Sequence, residues 1–206
     1  MKKKIFITGI GTDVGKTVVA AILTEALQAD YWKPIQAGDL DTGDAHTVEN
    51  LISNNETTIH PNTYGLQTPM SPHAAAKIDG VTIDLKKIKA PKTKNTLVIE
   101  GAGGILVPLN DTDAIVDLIQ PDYKVVVVSR HYLGSINHSL MTIQLLQSKG
   151  FDVSVIFNGA VHKSSESIIE KMTGVKVIGR IDDEPYFDKN VVKAYAEELQ
   201  DKLQEL

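Results

Sequence analysis

Short apolar runs alternate along the chain with segments in which apolar residues recur every three or four positions. The apolar runs predict β-strands at residues 4–8, 31–33, 96–100, 123–129, 153–157 and 175–178. The periodic segments predict helices at residues 15–28, 44–53, 113–119, 135–148, 164–172 and 188–206. Residues 125–128 are apolar without polar alternation, which is typical of a parallel strand covered on both faces.

The alternation of strands and helices predicts an α/β fold, with a doubly wound, mainly parallel sheet flanked by helices. We expect one domain over residues 1–206, because the chain shows no internal repeat or linker. Residues 54–72 are rich in Asn, Thr and Pro and are expected to form an irregular excursion over the surface. The apolar stripe of the last helix predicts packing against the core rather than a membrane or partner surface.

The first predicted strand leads into a glycine-rich segment, TGIGTDVGKTV at residues 8–18. Gly9 and Gly11 allow a tight turn in which successive N–H groups point at an anion. In such a cradle Lys16 reaches the outer phosphates, and the Thr17 hydroxyl is placed to ligate Mg²⁺. The helix that starts near Gly15 adds the positive end of its dipole. The segment therefore predicts a P-loop NTPase-like domain that binds a nucleoside triphosphate.

The spacing of this loop departs from the usual pattern. Five residues separate Gly9 from Gly15, where four are usual. The alternative is a glycine-rich connection with an incidental Lys-Thr pair. The strand before the loop and the apolar helix after it favour the phosphate cradle.

In a sheet of this kind, ligands bind beyond the carboxyl ends of the strands. Lys33 follows the second predicted strand, and Pro34 keeps it extended, so that its ammonium would lie near the terminal phosphate. Glu100 ends an apolar strand and precedes a run of glycines, an arrangement that holds Mg²⁺ or its water opposite a phosphate loop. The ordinary alternatives are a surface lysine and a strand-terminal acid at a turn.

Other polar residues allow two interpretations each. Asp44 opens a predicted helix and is a strong candidate for a helix N-cap. Ser135 and Asn137 stand at the start of another helix, where they could cap it or where free N–H groups could bind a carboxylate. Asn158 precedes a glycine after a strand, so its amide could read a base edge or form a turn.

Composition narrows the class of protein. The formal net charge of −5 disfavours a nucleic-acid partner, and the basic cluster at residues 86–94 lacks interleaved aromatics and is expected to be a solvated connection. The absence of cysteine excludes a disulfide framework, a thiolate zinc site and a cysteine nucleophile. Neither a signal peptide nor a bilayer-spanning run is evident. We therefore expect a cytoplasmic protein without a nucleic-acid or membrane partner.

Six segments together resemble one family, the dethiobiotin synthetases, which are ATP-dependent ring-closing enzymes of biotin synthesis. The segments follow the family's order, and the phosphate loop with one additional residue is itself a family trait. The joint occurrence of the loop, YWKP and EGAGG is specific, although none of them is specific alone. The segments are the loop at 8–17, YWKP at 31–34, SPH at 71–73, EGAGG at 100–104, GSINH at 134–138 and FN at 157–158.

The resemblance implies that 7,8-diaminononanoate reacts with CO₂ and MgATP to give dethiobiotin, ADP and phosphate. One amine forms a carbamate, ATP phosphorylates it to a carbamic–phosphoric anhydride, and the second amine closes the cyclic urea and expels phosphate. Because a carbamate is a poor nucleophile beside a polyanionic triphosphate, cations must offset the repulsion. The implied catalytic residues are Lys16 and Lys33, and Lys33 also binds the carbamate.

The resemblance also implies roles at further positions. Thr17, Asp44 and Glu100 are the implied Mg²⁺ ligands, all oxygen donors as a hard cation prefers. The family is homodimeric, which implies that the helix start at Ser135 and Asn137 binds the tail carboxylate of the substrate from the partner subunit. The implied ATP contacts are Asp13, Val14, Gly15, Lys16, Thr17, Val18, Asp44, Glu100, Gly101, Ala102 and Gly103, with Asn158 at the adenine.

Two departures from the family pattern concern the substrate. Ala37 stands where members often carry a hydroxyl residue, so a contact there must come from the backbone, from Gln36 or from a water. Residues 167–170 contain no tyrosine, which some relatives place near the tail carboxylate. Residues 180–184 match the family poorly on the adenine side, and no contact is assigned to them.

Three other classes share part of the pattern. ATP-switched partitioning or positioning ATPases have this kind of loop and fold, but they typically carry an additional lysine near the start of the loop and a C-terminal membrane-targeting helix, which this sequence lacks. A small GTPase needs an Asn-Lys-x-Asp base reader, which residues 157–160 do not supply. Amide-forming enzymes of corrin synthesis normally have a glutamine-hydrolysing domain, for which 206 residues leave no room.

Overall fold

Parallel strands organise the part of the chain that the computed structural model describes, residues 2–206. The strands are β1 (Lys4–Gly9), β2 (Asp30–Trp32), β3 (Ile35–Ala37), β4 (Ile59–His60), β5 (Tyr64–Leu66), β6 (Leu97–Gly104), β7 (Lys124–Arg130), β8 (Asp152–Asn158) and β9 (Lys176–Ile181). The α-helices are α1 (Lys16–Leu27), α2 (Asp44–Leu51), α3 (Pro72–Ile78), α4 (Ser135–Ser148), α5 (Lys163–Thr173) and α6 (Lys189–Gln204). Short 3₁₀-helices lie at Leu85–Lys87 and Ile115–Leu118.

The main sheet has seven parallel strands in the order β4-β2-β6-β1-β7-β8-β9. The chain leaves the central β1 towards β2 on one side and later continues from β7 to β8 on the other. Right-handed crossovers that run in opposite directions put α1 and α4 on opposite faces of the sheet. Residues 125–128 of β7 are completely buried between these layers. The predicted fold class, a doubly wound parallel sheet flanked by helices, is confirmed.

The prediction of a helix at residues 113–119 was wrong, because only a 3₁₀-helix at Ile115–Leu118 forms there. Pro108 and Ala114 pair as an antiparallel bridge. The N–H groups of Ile115 and Val116 then donate to the carbonyls of Val107 and Ile105. Ala114 and Ile119 both have an extended backbone, which leaves only four residues between them and so no room for an α-helix.

Residues 54–72 are less irregular than expected, since they contain β4 and β5. Pro34 explains part of this arrangement. It separates β2 from β3, and its carbonyl accepts hydrogen bonds from Thr63 and Tyr64 at the start of β5. β3 and β5 form a separate two-stranded parallel sheet, and α3 follows at Pro72. The sequence analysis did not predict β3, β4, β5 or α3.

Two other expectations agree with the structure. The five lysines of the basic cluster at residues 86–94 are all exposed, as a solvated connection requires. The stripe on α6 packs into the core through Val192, Ala196, Leu199 and Leu203. Within residues 2–206, no helix combines the length and the apolar character that a bilayer crossing requires.

Glu25 joins α1 to the end of α2. Its carboxylate accepts hydrogen bonds from the backbone N–H groups of Ser53 (2.8 Å) and Asn54 (3.1 Å). The side chains of the same two residues also donate to it. Burial raises the pKa of Glu25, but these hydrogen bonds outweigh it, and the pKa is lowered overall.

We expect Glu25→Ala to lower the free energy of unfolding by about 1–2 kcal/mol at pH 7, because several donors lose their shared acceptor. Since the folded-state pKa of Glu25 lies below its unfolded value, this contribution is present above the unfolded pKa and disappears as the pH falls through the folded one. Urea unfolding from pH 7 downwards should show the difference shrinking below about pH 4. Glu49→Ala on the exposed side of α2 is the control, and a pH-independent loss would contradict the assignment.

Candidate active site

The phosphate loop predicted from the sequence connects β1 to α1. Gly15 precedes the helix with a φ of 94°, in the left-handed region. A Cβ at Gly15 would lie 2.2 Å from the side-chain nitrogen of Asn158, so only glycine fits. Lys16 is 8% exposed, and its ammonium donates to the carbonyl of Gly11 at 3.1 Å. The loop therefore holds a buried cation over its own backbone.

Beside the loop, four side chains from four elements form a cluster of charged and hydroxyl groups. The Lys33 ammonium contacts Glu100 Oε1 at 3.3 Å and is also paired with Asp44 Oδ2. The Thr17 hydroxyl donates to the same Glu100 Oε1 at 3.0 Å. Lys33 follows β2, Glu100 lies on β6, and Thr17 and Asp44 belong to the first turns of α1 and α2. We call these four residues the ionic cluster.

Sheet register explains the meeting of Lys33 and Glu100. β2 pairs with β6 so that Trp32 lies opposite Ile99. The next residue on each strand is then Lys33 and Glu100, which neighbour each other at the carboxyl edge. On its other side, β6 pairs with β1, with Glu100 opposite Ile7. Glu100 thus lies two residues before the end of β1, where the phosphate loop starts.

The electrostatics of the ionic cluster depend on one cation shared by two carboxylates. Burial raises the pKa of Glu100, and the Lys33 ammonium offsets this only in part. Burial lowers the pKa of Lys33, but Glu100 and Asp44 outweigh it, so the pKa of Lys33 is raised. Burial raises the pKa of Asp44, yet Lys33 overcomes it and the pKa is lowered. At neutral pH Lys33 is therefore a charged group.

A cavity of about 650 Å³ opens onto the ionic cluster. Its volume lies in the range that holds a small-molecule ligand. Val14, Glu100, Gly101 and Asn158 are buried beside or behind its walls. The residues predicted from the sequence that line it are Asp13, Gly15, Lys16, Thr17, Val18, Lys33, Asp44, Ala102 and Gly103.

The donor set of the ionic cluster suits a hard divalent cation. Thr17, Asp44 and Glu100 offer one hydroxyl and two carboxylates, all oxygen ligands. Residues 2–206 contain no group of three or more His, Cys, Asp or Glu side chains that could hold a metal ion by themselves. Mg²⁺ is commonly bound by one or two carboxylates together with substrate phosphates, so two carboxylates beside a phosphate loop fit that ion.

The sequence analysis offered Asp44, Ser135 and Asn137 as possible helix N-caps, and none of them caps a helix in the structure. The N-cap of α2 is Gly43, and Asp44 is the first helical residue, so the interpretation of Asp44 as an N-cap was wrong. The N-cap of α4 is Gly134, and neither Ser135 nor Asn137 caps that helix through its side chain. Ser135 is buried, Asn137 is exposed, and neither lines the cavity.

Asn158 has a contact that the sequence did not indicate. Its side-chain amide donates to the carbonyl of Val14 at 2.8 Å, so it braces the phosphate loop from β8, which lies two strands from β1 in the sheet. The backbone after it is held in turn by Arg180, which donates to Gly159, and by Asp183, which accepts from Ala160 at 3.0 Å. These two residues lie in the stretch 180–184, to which the sequence analysis assigned no contact.

One further residue, Tyr31, was missed, and Gln36 was one of three alternatives for a contact beside Ala37. The Tyr31 hydroxyl donates to Glu100 Oε2 at 2.8 Å. Gln36 lines the cavity next to Ala37, and its side-chain oxygen accepts from the backbone N–H of Asp44 at 3.4 Å. In the sequence Tyr31 has the pattern of an ordinary core aromatic, and only the fold brings its hydroxyl to the ionic cluster.

Comparison with known proteins agrees with this geometry. A family model described as an AAA domain matches residues 3–191. The ATP-dependent dethiobiotin synthetase BioD of Christiangramia forsetii is 56% identical over 207 residues, with 100% of each chain covered. The protein of the same name from Cytophaga hutchinsonii is 52% identical, with 98% of this chain and 100% of the relative covered. The chain belongs to the dethiobiotin synthetase family.

Proteins outside the dethiobiotin synthetase family have a similar fold. A ParA family ATPase from Chlorobium tepidum superposes with a TM-score of 0.60 at 13% identity, covering 100% of each chain. A plasmid partition protein of Borrelia burgdorferi bound to AMPPNP gives 0.62 at 13% identity, covering 100% of this chain and 99% of the other. At such low identity, the likeness concerns the fold alone.

We expect Lys33→Met to lower the free energy of unfolding by about 3 kcal/mol at pH 7, because two carboxylates lose their counter-ion in a buried place. The folded-state pKa of Lys33 is raised, so its contribution is complete below the unfolded pKa and disappears only as the pH rises through the folded one. Urea unfolding measures the loss. The control is Lys124→Met, which breaks the exposed pair with Asp152 and should cost less than about 1 kcal/mol. Equal losses in the two variants would contradict the importance of the ionic cluster.

Proposed function

We propose that this chain is an ATP-dependent dethiobiotin synthetase that converts 7,8-diaminononanoate, CO₂ and MgATP into dethiobiotin, ADP and phosphate. The observation that carries the proposal is the convergence of Lys16, Lys33 and two carboxylates at one cavity beside a phosphate loop. Relatives that are 52–56% identical over nearly the whole chain bear this name, whereas the partition ATPases share only 13% identity. The switch-ATPase alternative is therefore not favoured.

In the proposed reaction the protein supplies positive charge, and the substrate itself supplies the nucleophiles. The carbamate formed from one amine must approach the terminal phosphate of ATP, and both carry negative charge. Lys16 and Lys33 supply positive charge on the cavity wall, in a buried setting where electrostatic stabilisation is strong. The second amine of the substrate attacks the activated carbonyl, so no protein nucleophile is needed for ring closure.

We propose that Lys33 changes partners during the reaction. Here its ammonium neutralises Asp44 and Glu100. Mg²⁺, when bound by Thr17, Asp44 and Glu100, would supply charge compensation for those carboxylates and for the phosphates. Lys33 is then free to bind the carbamate, because its ammonium stays charged and the cavity opens beside it.

The proposed nucleotide contacts follow the phosphate loop and the end of β6. The triphosphate lies along residues 13–18, whose N–H groups and Lys16 surround the start of α1. Ala102 and Gly103 also line the cavity, and Gly101 before them is buried. Asn158 is proposed at the adenine. Its Nδ2 holds the loop while its side-chain oxygen remains available as an acceptor.

We further propose a homodimer in which the partner's α4 binds the tail carboxylate of the substrate. Neither Ser135 nor Asn137 lines the cavity of its own subunit, so a contact of this helix start with the substrate requires a second subunit. A second cavity, of about 580 Å³ and mainly apolar, shares Thr12 and Val107 with the first. The exposed side chains of Leu106 and Met141 line this cavity, Leu133 and Ile136 are exposed near the start of α4, and burial of these apolar groups would favour association.

The whole reaction is assigned to one domain over residues 1–206. The cytoplasm, where MgATP is maintained, is the proposed location, and all proposed partners are small molecules or a second copy of the chain. The contact that many relatives make through a hydroxyl at the position of Ala37 is proposed for Gln36, which lines the cavity while its amide hydrogen-bonds the backbone of Gly38 at 3.0 Å and that of Asp44 at 3.4 Å.

Phosphate release tests the proposed reaction. We expect release from MgATP to require both the diamine and bicarbonate, with formation of the cyclic urea. Lys33→Ala should leave ATP affinity nearly unchanged while reducing turnover by at least ~10²-fold, the scale of a lost charge stabiliser. Release that does not depend on the diamine would support a switch ATPase instead, and normal turnover by Lys33→Ala would remove Lys33 from the mechanism.

Mixed dimers test the contribution of the partner subunit. Asn137→Asp places a negative charge where the tail carboxylate is proposed to bind, and we expect it to be inactive, as is Lys33→Ala. In a two-fold dimer, co-expression of both variants should restore about a quarter of the wild-type activity, because half of the dimers have one intact site. Lys16→Ala with Lys33→Ala is the control, since both lysines act in the same subunit and no site is restored. Activity no higher than the sum of the separate variants would contradict the shared site.

A further inference from the structure

Tyr31 is completely buried, and its hydroxyl has one partner in the described chain. It lies on β2 opposite Val98 of β6, two residues before Lys33. Alternation along a strand puts Tyr31 and Lys33 on the same face, the face that also carries Glu100. From there the phenol donates to Glu100 Oε2 at 2.8 Å.

The two oxygens of Glu100 thus have different environments. Oε2 points into the core and accepts from Tyr31, whereas Oε1 accepts from Thr17 and contacts Lys33 at the cavity. The last torsion of a glutamate side chain is intrinsically broad, so nothing in the side chain itself selects this orientation. A buried carboxylate oxygen without a donor is costly, which means that Tyr31 fixes the rotation of the Glu100 carboxylate, with one oxygen held in the core and the other turned to the cavity.

We propose that Tyr31 is a positioning residue for the metal site, which holds Glu100 so that Oε1 is presented to a divalent cation beside Thr17. This inference rests on the proposed function of Glu100 as a Mg²⁺ ligand. Tyr31 itself has no access to the cavity, so it acts only through Glu100. Burial and the neighbouring carboxylate raise the pKa of Tyr31 well above its ordinary value, and the phenol therefore remains a proton donor.

The test measures cation binding rather than turnover. Mn²⁺ binding to the protein with ADP is followed by electron paramagnetic resonance, and ADP binding in EDTA is followed by calorimetry. Tyr31→Phe removes the donor. The matched control is Tyr195→Phe, which removes a comparable phenol-to-carboxylate hydrogen bond, to Glu184 at 2.7 Å, outside the ionic cluster.

We expect Tyr31→Phe to weaken Mn²⁺ binding at least about tenfold, as loss of an outer partner of a metal ligand does. The affinity for ADP in EDTA should stay within about twofold, and Tyr195→Phe should match the wild type in both measurements. In the Glu100→Gln background, Tyr31→Phe should change Mn²⁺ affinity less than about twofold, because a residue that acts through Glu100 has nothing further to position.

Isosteric replacements separate positioning from packing. 4-Methylphenylalanine at position 31 fills the space of the hydroxyl without a donor and should reproduce the loss, even if Tyr31→Phe does not fold. 4-Aminophenylalanine restores an N–H donor at the same place and should recover wild-type Mn²⁺ affinity. Unchanged Mn²⁺ affinity in the donor-free variants, or an unchanged affinity in Glu100→Gln, would overturn the inference. Because these measurements need no diamine, failure of the ring-closing reaction would be a separate result.

Discussion

The structure depends on one charge balance, a single buried ammonium between two carboxylates. Lys33 contacts Glu100 and Asp44, and all three come from different elements: the end of β2, the middle of β6 and the start of α2. An unpaired charge in such a place would be strongly unfavourable. The pairing therefore constrains how these elements meet, and the cavity and the phosphate loop lie around it.

The sheet order explains why this balance lies next to a phosphate loop. β1 occupies the centre, with β6 on one side and β7 on the other, and the crossovers leave it in opposite directions. Ligand sites of doubly wound sheets lie at this switch point. Asn158, on the far side of the loop, donates to Val14 and ties the loop to β8. The loop is thus held from both halves of the sheet, by Asn158 and by the contact of Thr17 with Glu100.

The sequence predicted what local pattern and strand-end position determine. Continuous apolar runs located the long strands, and the rule that ligands bind at carboxyl ends selected Lys33 and Glu100 before any geometry was known. The sequence analysis did not predict three short strands, β3, β4 and β5. Each has only two or three residues and forms through backbone pairing with a distant segment. The role of Tyr31 was not predicted either. Its hydroxyl meets Glu100 only through the register between β2 and β6, which the local sequence does not indicate.

The same fold in partition ATPases shows that architecture alone does not select the chemistry. In this chain, the sheet brings the phosphate loop after β1 next to the Glu100 carboxylate on β6. Besides Lys16, the site has a second cation, the buried and charged ammonium of Lys33. The two carboxylates that hold this ammonium are also suitable ligands for a divalent cation. A divalent cation bound there, as proposed, would share the two carboxylates with Lys33, which would weaken their hold on the Lys33 ammonium. In the proposed reaction, the same cluster would hold the ammonium before the nucleotide binds and release it towards a second anion afterwards.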